Sequence, residues 1–430
     1  MAAISVASTL PDSQVTPPVE DTRWISRVAG ALTHPNFRLL WFAALGSTIG
    51  TWMQKYAQSL LVLTLTGSGF YLSLDDFLSQ LPIILFMLIG GVVADRYDRR
   101  RLLTGSQIIQ MFSAFALALL VLTNRVTIWH ILTLSFISGC GQAFGGPAYQ
   151  SLIPSLVPRR DLPNAIALNS TQFNLSRVLG PTTGAIVLTL IGAAWCFTIN
   201  GLSFFLVIAA LAILKVQRQQ TSERRSLRQE LASGLSYVRN ERAVLTLTVL
   251  IFICTFLAMP IATLVPLFAK ALFESGTAMT VKTGQAVLMV AQGLGAIAGA
   301  LIISSFDRKG MGRLLLVGQI LLGLVIAAFA LSPWWLVSCL LLFVVGVVFM
   351  LVFSASFSLV QMSVPDSLRG RVVSIYMVAM RGGWPLGALV AGTLADKFSA
   401  SAVMAMNGVV LAILSAGLIA FGRGRSLRQL

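Results

Sequence analysis

Apolar residues in this chain fall in long unbroken runs, not in short alternating stretches. Twelve runs stand out, at about 37–65, 71–92, 102–122, 128–153, 163–191, 194–215, 243–270, 283–305, 313–331, 335–360, 371–395 and 402–422. A run of roughly 20 apolar residues crosses about 30 Å of hydrocarbon as a helix. Lipid offers the backbone no hydrogen bonds, so a spanning segment must satisfy its own, which a helix does. A membrane β-barrel would instead repeat alternating segments of about ten residues, and these are absent. The predicted fold class is an all-α integral membrane protein with twelve transmembrane helices.

The polar intervals are short except at 216–242, between the sixth and seventh runs. The segment "KVQRQQTSERRSLRQELASGLSYVRNER" places Leu227, Leu231, Leu235 and Val238 on one helical stripe, flanked by basic residues. This predicts an amphipathic helix on the inner membrane surface, with a solvated tether as the alternative. The expected organisation is a tail at 1–36, a six-helix half at 37–215, the linker at 216–242, a second six-helix half at 243–422 and a tail at 423–430. Residues 1–36 hold Pro11, Pro17 and Pro18 and no apolar h-region, so they do not read as a signal peptide.

The halves echo each other. Asp95-Arg96 after run two recurs as Asp307-Arg308 after run eight. Val157-Pro158 recurs as Val364-Pro365, and Arg177 with Pro181 recurs as Arg381 with Pro385. Three features in one order at nearly one offset argue for a 6+6 duplication, an architecture of secondary transporters.

Charge fixes the orientation. Hydrophobic residues make up 56% of the chain and charged residues only 11%, against about 25% charged in a soluble domain. With the N-terminus inside, all but seven of the 31 basic residues fall on the tails and even-numbered loops. The seven are Arg125, Lys270, Lys282 and Lys397 opposite, and Lys55, Arg177 and Arg381 within runs. This is the positive-inside pattern, so both termini are expected in the cytoplasm of a bacterium, with the chain in its inner (plasma) membrane. The net charge of +16 then reflects topology and attraction to anionic lipid, not nucleic-acid binding.

Catalytic and metal signals are missing. There is no GxxxxGK[ST], HExxH or GxSxG run. Cys140, Cys196, Cys254 and Cys339 are scattered, and His34 and His130 are the only histidines. The expectation is no enzyme, no cofactor and no metal, with energy drawn from a gradient.

The charges inside runs are the candidate chemistry, because they are expensive in lipid. Lys55 in run one lies near the depth of Asp75 and Asp76 in run two. Adjacent residues point about 100° apart on a helix, so one Asp is expected to pair with Lys55 and the other to face a cavity and exchange protons; a pair that only locks runs one and two, or two aspartates in the wet outer interface, is the alternative. Arg177 and Arg381 sit mid-run at duplicated positions. Converging on one cavity they would suit an anionic or catechol-rich substrate. Bonds to carbonyls freed by Pro181 and Pro385 are the structural alternative. Pro260 and Pro266 in "FLAMPIATLVPLF" predict a broken or bent seventh helix. Gly293, Gly295, Gly299, Gly383 and Gly387 predict close helix contacts.

The loop "GGVVADRYDRRR" spaces Gly91, Asp95, Arg96, Arg99, Arg100 and Arg101 in a way that resembles the signature loop of the major facilitator superfamily, G-x-L-x-D-R-x-G-R-R. Asp98 stands where a second glycine is usual. "DRKGMGR" at 307–313 resembles a degenerate second copy. The resemblance implies that Gly91, Asp95, Arg96 and Arg100, echoed by Asp307 and Arg308, hold a cytoplasmic gate. Gly180, Pro181 and Gly184 in "SRVLGPTTGA" resemble the exporter signature on helix five. "HPNFRLLWFA" and "LVPRRDLPNAIALNSTQFNLSRVLGP" resemble the efflux branch that holds the enterobactin exporter and macrolide-efflux proteins. "FISGCGQAFGGPA" lacks the arginine of the common run-four exporter signature, so proton-coupling roles given to that arginine are not carried over. The implied function is a monomeric secondary transporter that exports a small amphipathic compound, siderophore or drug-like, by proton antiport. An uptake carrier is the alternative, and a non-transporting membrane receptor a distant one.

Overall fold

The computed structural model describes residues 30–214, 227–273, 280–303, 305 and 310–420, with backbone alone at 87–96, 227–231, 366, 367, 419 and 420. Regular structure among them is helical: α1 (Pro35–Thr66), α2 (Gly69–Arg96), α3 (Arg99–Leu122), α4 (Ile128–Leu152), α5 (Leu162–Leu190), α6 (Ala193–Ile213), α7 (Leu227–Asn240), α8 (Arg242–Ala258), α9 (Pro260–Phe273), α10 (Val281–Ile303), α11 (Met311–Leu331), α12 (Trp335–Ser363), α13 (Asp366–Lys397) and α14 (Ala400–Ala420). Short 3-10 turns stand before α1 and between α4 and α5.

Eight helical stretches among the described residues are long and apolar enough to cross a membrane: α3, α6, α8 with α9, α10, α11, α12, most of α13, and most of α14. Helices α1 and α5 are more polar, and their polar residues meet protein partners. Gln172 of α5 donates to Thr48 of α1 at 3.1 Å, and Asn200 of α6 donates to Gln54 of α1 at 2.7 Å.

Helix ends follow local chemistry. Pro35 opens α1, where its missing N–H costs nothing. Gly67 closes α1 in the left-handed region at φ 63°, its N–H bonded to the Leu63 carbonyl at 2.8 Å. The seventh stretch breaks where proline cannot continue the ladder, so α8 stops at Ala258 and α9 starts at Pro260.

Helices α1–α6 pack among themselves and α8–α14 among themselves. The two sets meet chiefly where α2 lies on α13 and α5 on α10. Contact is close because side chains are absent there. A Cβ on Gly392 of α13 would lie 2.3 Å from the Gly69 carbonyl of α2. The five run-eight and run-eleven glycines pack tightly as well, and a Cβ on Gly387 would lie 1.9 Å from the Phe256 carbonyl.

Part of the linker segment, Leu227–Asn240, forms α7. Val238 is buried in the α8–α14 core while Leu235 stays exposed, and the side chains of Leu227 and Leu231 lie outside the described residues. Two polar contacts also hold α7. Arg371 of α13 donates to Ser233 at 3.0 Å, and Tyr237 donates to the Ser363 carbonyl at 3.3 Å. The helix therefore docks on the protein through mixed contacts, which a hydropathy stripe alone does not anticipate.

Candidate functional site

Lys55, Asp75 and Asp76 come together, and they divide the work. Lys55 Nζ lies 2.8 Å from Asp76 Oδ1. Asp76 is 5% exposed, so its charge needs a close partner, and Lys55 supplies one. Its second oxygen accepts from Thr263 of α9 at 3.1 Å, and Trp384 of α13 donates its indole N–H to Thr263 at 3.2 Å. The Asp76 carboxylate thus joins α1 and α2 to α9 and α13.

Asp75 points elsewhere. Gln58 of α1 donates to Oδ1 at 3.0 Å and to Oδ2 at 2.8 Å, and Ser135 of α4 donates to Oδ1 at 2.5 Å. These partners are neutral. Gln54 donates to Gln58 at 3.2 Å and accepts from Asn200, which extends a polar thread across α2, α4, α1 and α6.

Arg177 stacks over Trp52 with Cζ 5.5 Å from the ring centre. Lys55 Nζ lies 5.8 Å from the same ring and 5.1 Å from the Trp384 ring. Arg381 sits one turn before Trp384, on the same face of α13. Neither Arg177 nor Arg381 has a hydrogen-bond or ion-pair partner among the described residues. The carbonyls opened by Pro181 and Pro385 are therefore not their partners.

Gly180 and Gly184 let α5 press on α1. A Cβ on Gly180 would lie 2.3 Å from Trp52 Cβ, and one on Gly184 would lie 2.7 Å from the Tyr56 ring. The small residues thus set the position of Trp52, and with it the seat of Arg177.

At the far end of α1 and α2 the two helical sets are tied again. Asp396 of α13 accepts from the Gly69 and Phe70 N–H groups at 2.6 and 3.2 Å and from the Ser68 hydroxyl. Tyr56 donates to the Lys282 carbonyl at 2.6 Å, and Gln285 donates to Ser59 at 2.9 Å.

At the opposite end, Gly91, Asp95 and Arg96 occupy the last two turns of α2, with their side chains outside the described residues, as Asp307 and Arg308 are entirely. The arginines that follow are described. Arg100 donates to the Ala212 and Leu214 carbonyls at 2.7 and 3.0 Å, closing the C-terminal end of α6. Arg99 donates to the Ser151 carbonyl at 3.0 Å near the end of α4. Asp98 caps α3, accepting from the N–H groups of Arg100 and Arg101 at 2.9 and 3.2 Å.

Sequence reasoning missed Gln58, Ser135, Thr263, Trp52, Trp384 and Asp396. The first three are ordinary polar residues in apolar runs, and only their partners single them out. Asp396 falls one residue past the eleventh run, outside the charges singled out within runs.

Helices of membrane-crossing length in two packed sets, joined through the buried Asp76 carboxylate and through Asp396, fit a multi-pass membrane transporter. Residues 26–424 match the family described as transmembrane secretion effector, and the chain belongs to that family of the major facilitator superfamily. Its members are transporters, not enzymes. The chain is 26% identical to the multidrug efflux pump Tap of Mycolicibacterium fortuitum, over 83% of this chain and 88% of that one. It is 24% identical to the enterobactin exporter EntS of Citrobacter koseri, over 94% and 96%. It is 22% identical to macrolide efflux protein A of Streptococcus pyogenes, over 80% and 86%. Among solved structures, a bacterial homologue of the human lysosomal transporter Spinster, inward-facing and unoccupied, superposes with a TM-score of 0.69 at 15% identity, over 92% and 98%. The nucleoside transporter NupG gives 0.69 at 13%, over 90% and 98%. The two solved structures share the fold.

Proposed function

We propose that the protein exports a small amphipathic compound by proton antiport, through alternating access of two six-helix halves. The reading takes twelve transmembrane helices with both termini in the cytoplasm, in the inner membrane of a bacterium. The export direction is supported by the efflux relatives and by the Gly180-Pro181-Gly184 contact with α1.

The observation that carries the proton part is Asp75. It is a carboxylate inside α2 whose hydrogen-bond partners, Gln58 and Ser135, are neutral donors. A carboxylate held this way can take up and lose a proton without breaking an ion pair. Asp76 is bound to Lys55 and to Thr263 across the interface, so its role is to join the halves while the site faces one side. Asp95 and Arg96, with Gly91, Arg100 and the Asp307-Arg308 echo, would hold the cytoplasmic gate. In this reading Asp396 holds the outer one.

Inverted membrane vesicles test the proposal. A radiolabelled panel of aromatic carboxylates, neutral amides and amines is offered with and without an acid lumen. Accumulation that needs the acid lumen and collapses with an uncoupler is expected. Accumulation indifferent to the uncoupler would sink the proton mechanism, and proton-driven depletion from the lumen would favour uptake.

A further inference from the structure

The cations between the halves are stabilised in an unusual way. Trp52 has Arg177 at 5.5 Å and Lys55 at 5.8 Å from its ring centre, and Trp384 has Lys55 at 5.1 Å. A ring face attracts a cation through its quadrupole and takes none of its N–H donors. The charge is therefore partly offset while its hydrogen-bonding capacity is untouched. Arg177 has all five guanidinium donors uncommitted among the described residues, and so has Arg381. Lys55 commits one donor to Asp76 and keeps a side chain that is 45% exposed beside a carboxylate that is 4% exposed.

Charge points the same way. Of the three cations Lys55, Arg177 and Arg381, only Lys55 has a carboxylate partner among the described residues, Asp76, so Arg177 and Arg381 bring positive charge that no described carboxylate pairs with. A ligand that supplies an acceptor anion would complete the unused donors. Arginine binds a planar carboxylate through two parallel bonds. An aromatic body would meet the Trp52 ring and the Phe173 ring packed edge-on against it at 5.9 Å. Phe173 is exposed and lies one turn before Arg177 on α5.

We infer that the substrate class is an aromatic anion, with its carboxylate or phenolate seated on Arg177 and Arg381 and its ring against Trp52 and Phe173. This rests on the transport reading above and specifies it. One consequence follows for energetics. An anion leaving a cell whose interior is negative moves down the electrical gradient, so the potential assists its export.

A matched probe set tests the class without any gradient. Full-length protein in detergent is titrated with 1-naphthoate, 1-naphthamide and 1-naphthylmethylammonium, which share a ring and differ in charge, and tryptophan quenching is read. The expected order is naphthoate first, by roughly tenfold over each of the others. Arg177→Gln and Arg381→Gln should each cut the naphthoate-to-naphthamide ratio by roughly tenfold, with partial recovery in the lysine variants. Equal or tighter ammonium binding, no saturable naphthoate quenching into the millimolar range, or an unchanged ratio in both glutamine variants would each overturn it. A variant that elutes as an aggregate is replaced by its lysine counterpart. Flux of naphthoate in vesicles separates this proposal from the antiport reading. Flux that follows an imposed potential and ignores a pH gradient leaves the substrate class standing and removes antiport.

Discussion

Asp396, near the end of α13, accepts the N–H of Gly69, the first residue of α2, at 2.6 Å. One half of the molecule thus caps a helix of the other. The carboxylate takes Gly69, Phe70 and Ser68 together, at the end of a helix whose dipole favours a negative charge. The same helix ends 27 residues later at Asp95-Arg96. Helix α2 therefore runs from the Asp396 clamp at one end to the signature loop at the other, with Pro82 in its interior.

Removing the clamp should loosen the outer end. Hydrogen bonds to a charged group contribute about 1.5–3 kcal/mol each, enough to redistribute two conformers. Spin labels at Thr66→Cys and Lys397→Cys, in a background lacking the four native cysteines, should show a longer distance gaining population in Asp396→Ala. An unchanged distance distribution would remove Asp396 from the gate.

The two neighbouring carboxylates should fail differently. Asp75→Asn is expected to keep the Gln58 and Ser135 bonds to Oδ1, lose the second Gln58 bond, fold normally and lose proton-driven transport. Asp76→Asn leaves Lys55, whose side chain is 45% exposed, without its ion pair, so it should also lower thermal stability, by about 1 kcal/mol because solvent screens the lysine. Thermal unfolding in detergent beside vesicle transport separates the two. Full proton-driven export by Asp75→Asn would refute its coupling role.

Close helix contact predicts which glycines tolerate a methyl. Gly180→Ala puts a Cβ 2.3 Å from Trp52 Cβ. Overpacking of this kind costs about 1–3 kcal/mol. Gly146→Ala meets nothing within 4 Å and should gain up to about 1 kcal/mol from helix propensity. Melting temperatures should move in opposite directions.

Asp98 can be tested as a cap. Asp98→Ala should cost about 1 kcal/mol, while Asp98→Gly, which restores the superfamily's usual residue, should cost only a few tenths. Equal losses in the two variants would mean the side chain acts through something other than the Arg100 and Arg101 N–H groups.

A pH dependence follows from the loop between α4 and α5. His34 donates to Asp161 at 2.7 Å, and this bond, with the nearby Arg160, holds the Asp161 carboxyl below its ordinary value. A carboxyl lowered on folding stabilises the native state at pH values above its unfolded value of about 3.9, and that contribution disappears as pH falls through the folded value. The pair is near the surface, so the effect is small. Asp161→Asn should melt slightly lower than the parent at neutral pH, and the two curves should merge in acid. A gap that persists in acid would exclude the linkage.

Much of the helix pattern was legible because hydrocarbon enforces it. An apolar run of 20 residues has few alternatives in lipid, so the ends read from hydropathy for α4 and α5 fall within one residue of those observed. The two prolines of the seventh run likewise gave a broken or bent helix, and packing placed the break at Pro260 while Pro266 stays inside α9. The pairing of Lys55 with one of two adjacent aspartates was legible as a pair but not as a choice. A rotation of 100° separates Asp75 from Asp76, and only the packing of α2 against α1, α4 and α9 decides which one Lys55 meets. The signature loop was readable as a motif, whereas the reason for Asp98 was not. It became clear only when its oxygen was seen on the backbone of α3.

The sequence by itself determined a helical membrane protein, the irregularity of its seventh run, and which charges fall inside apolar runs. These follow from local composition and from the cost of exposing backbone and charge to lipid. Tertiary structure alone decided that Asp76 reaches Thr263, that Arg177 lies over the Trp52 ring, and that Asp396 caps α2. Each of those contacts joins residues far apart in the chain, and its geometry depends on how two helices cross and how close their glycines let them come.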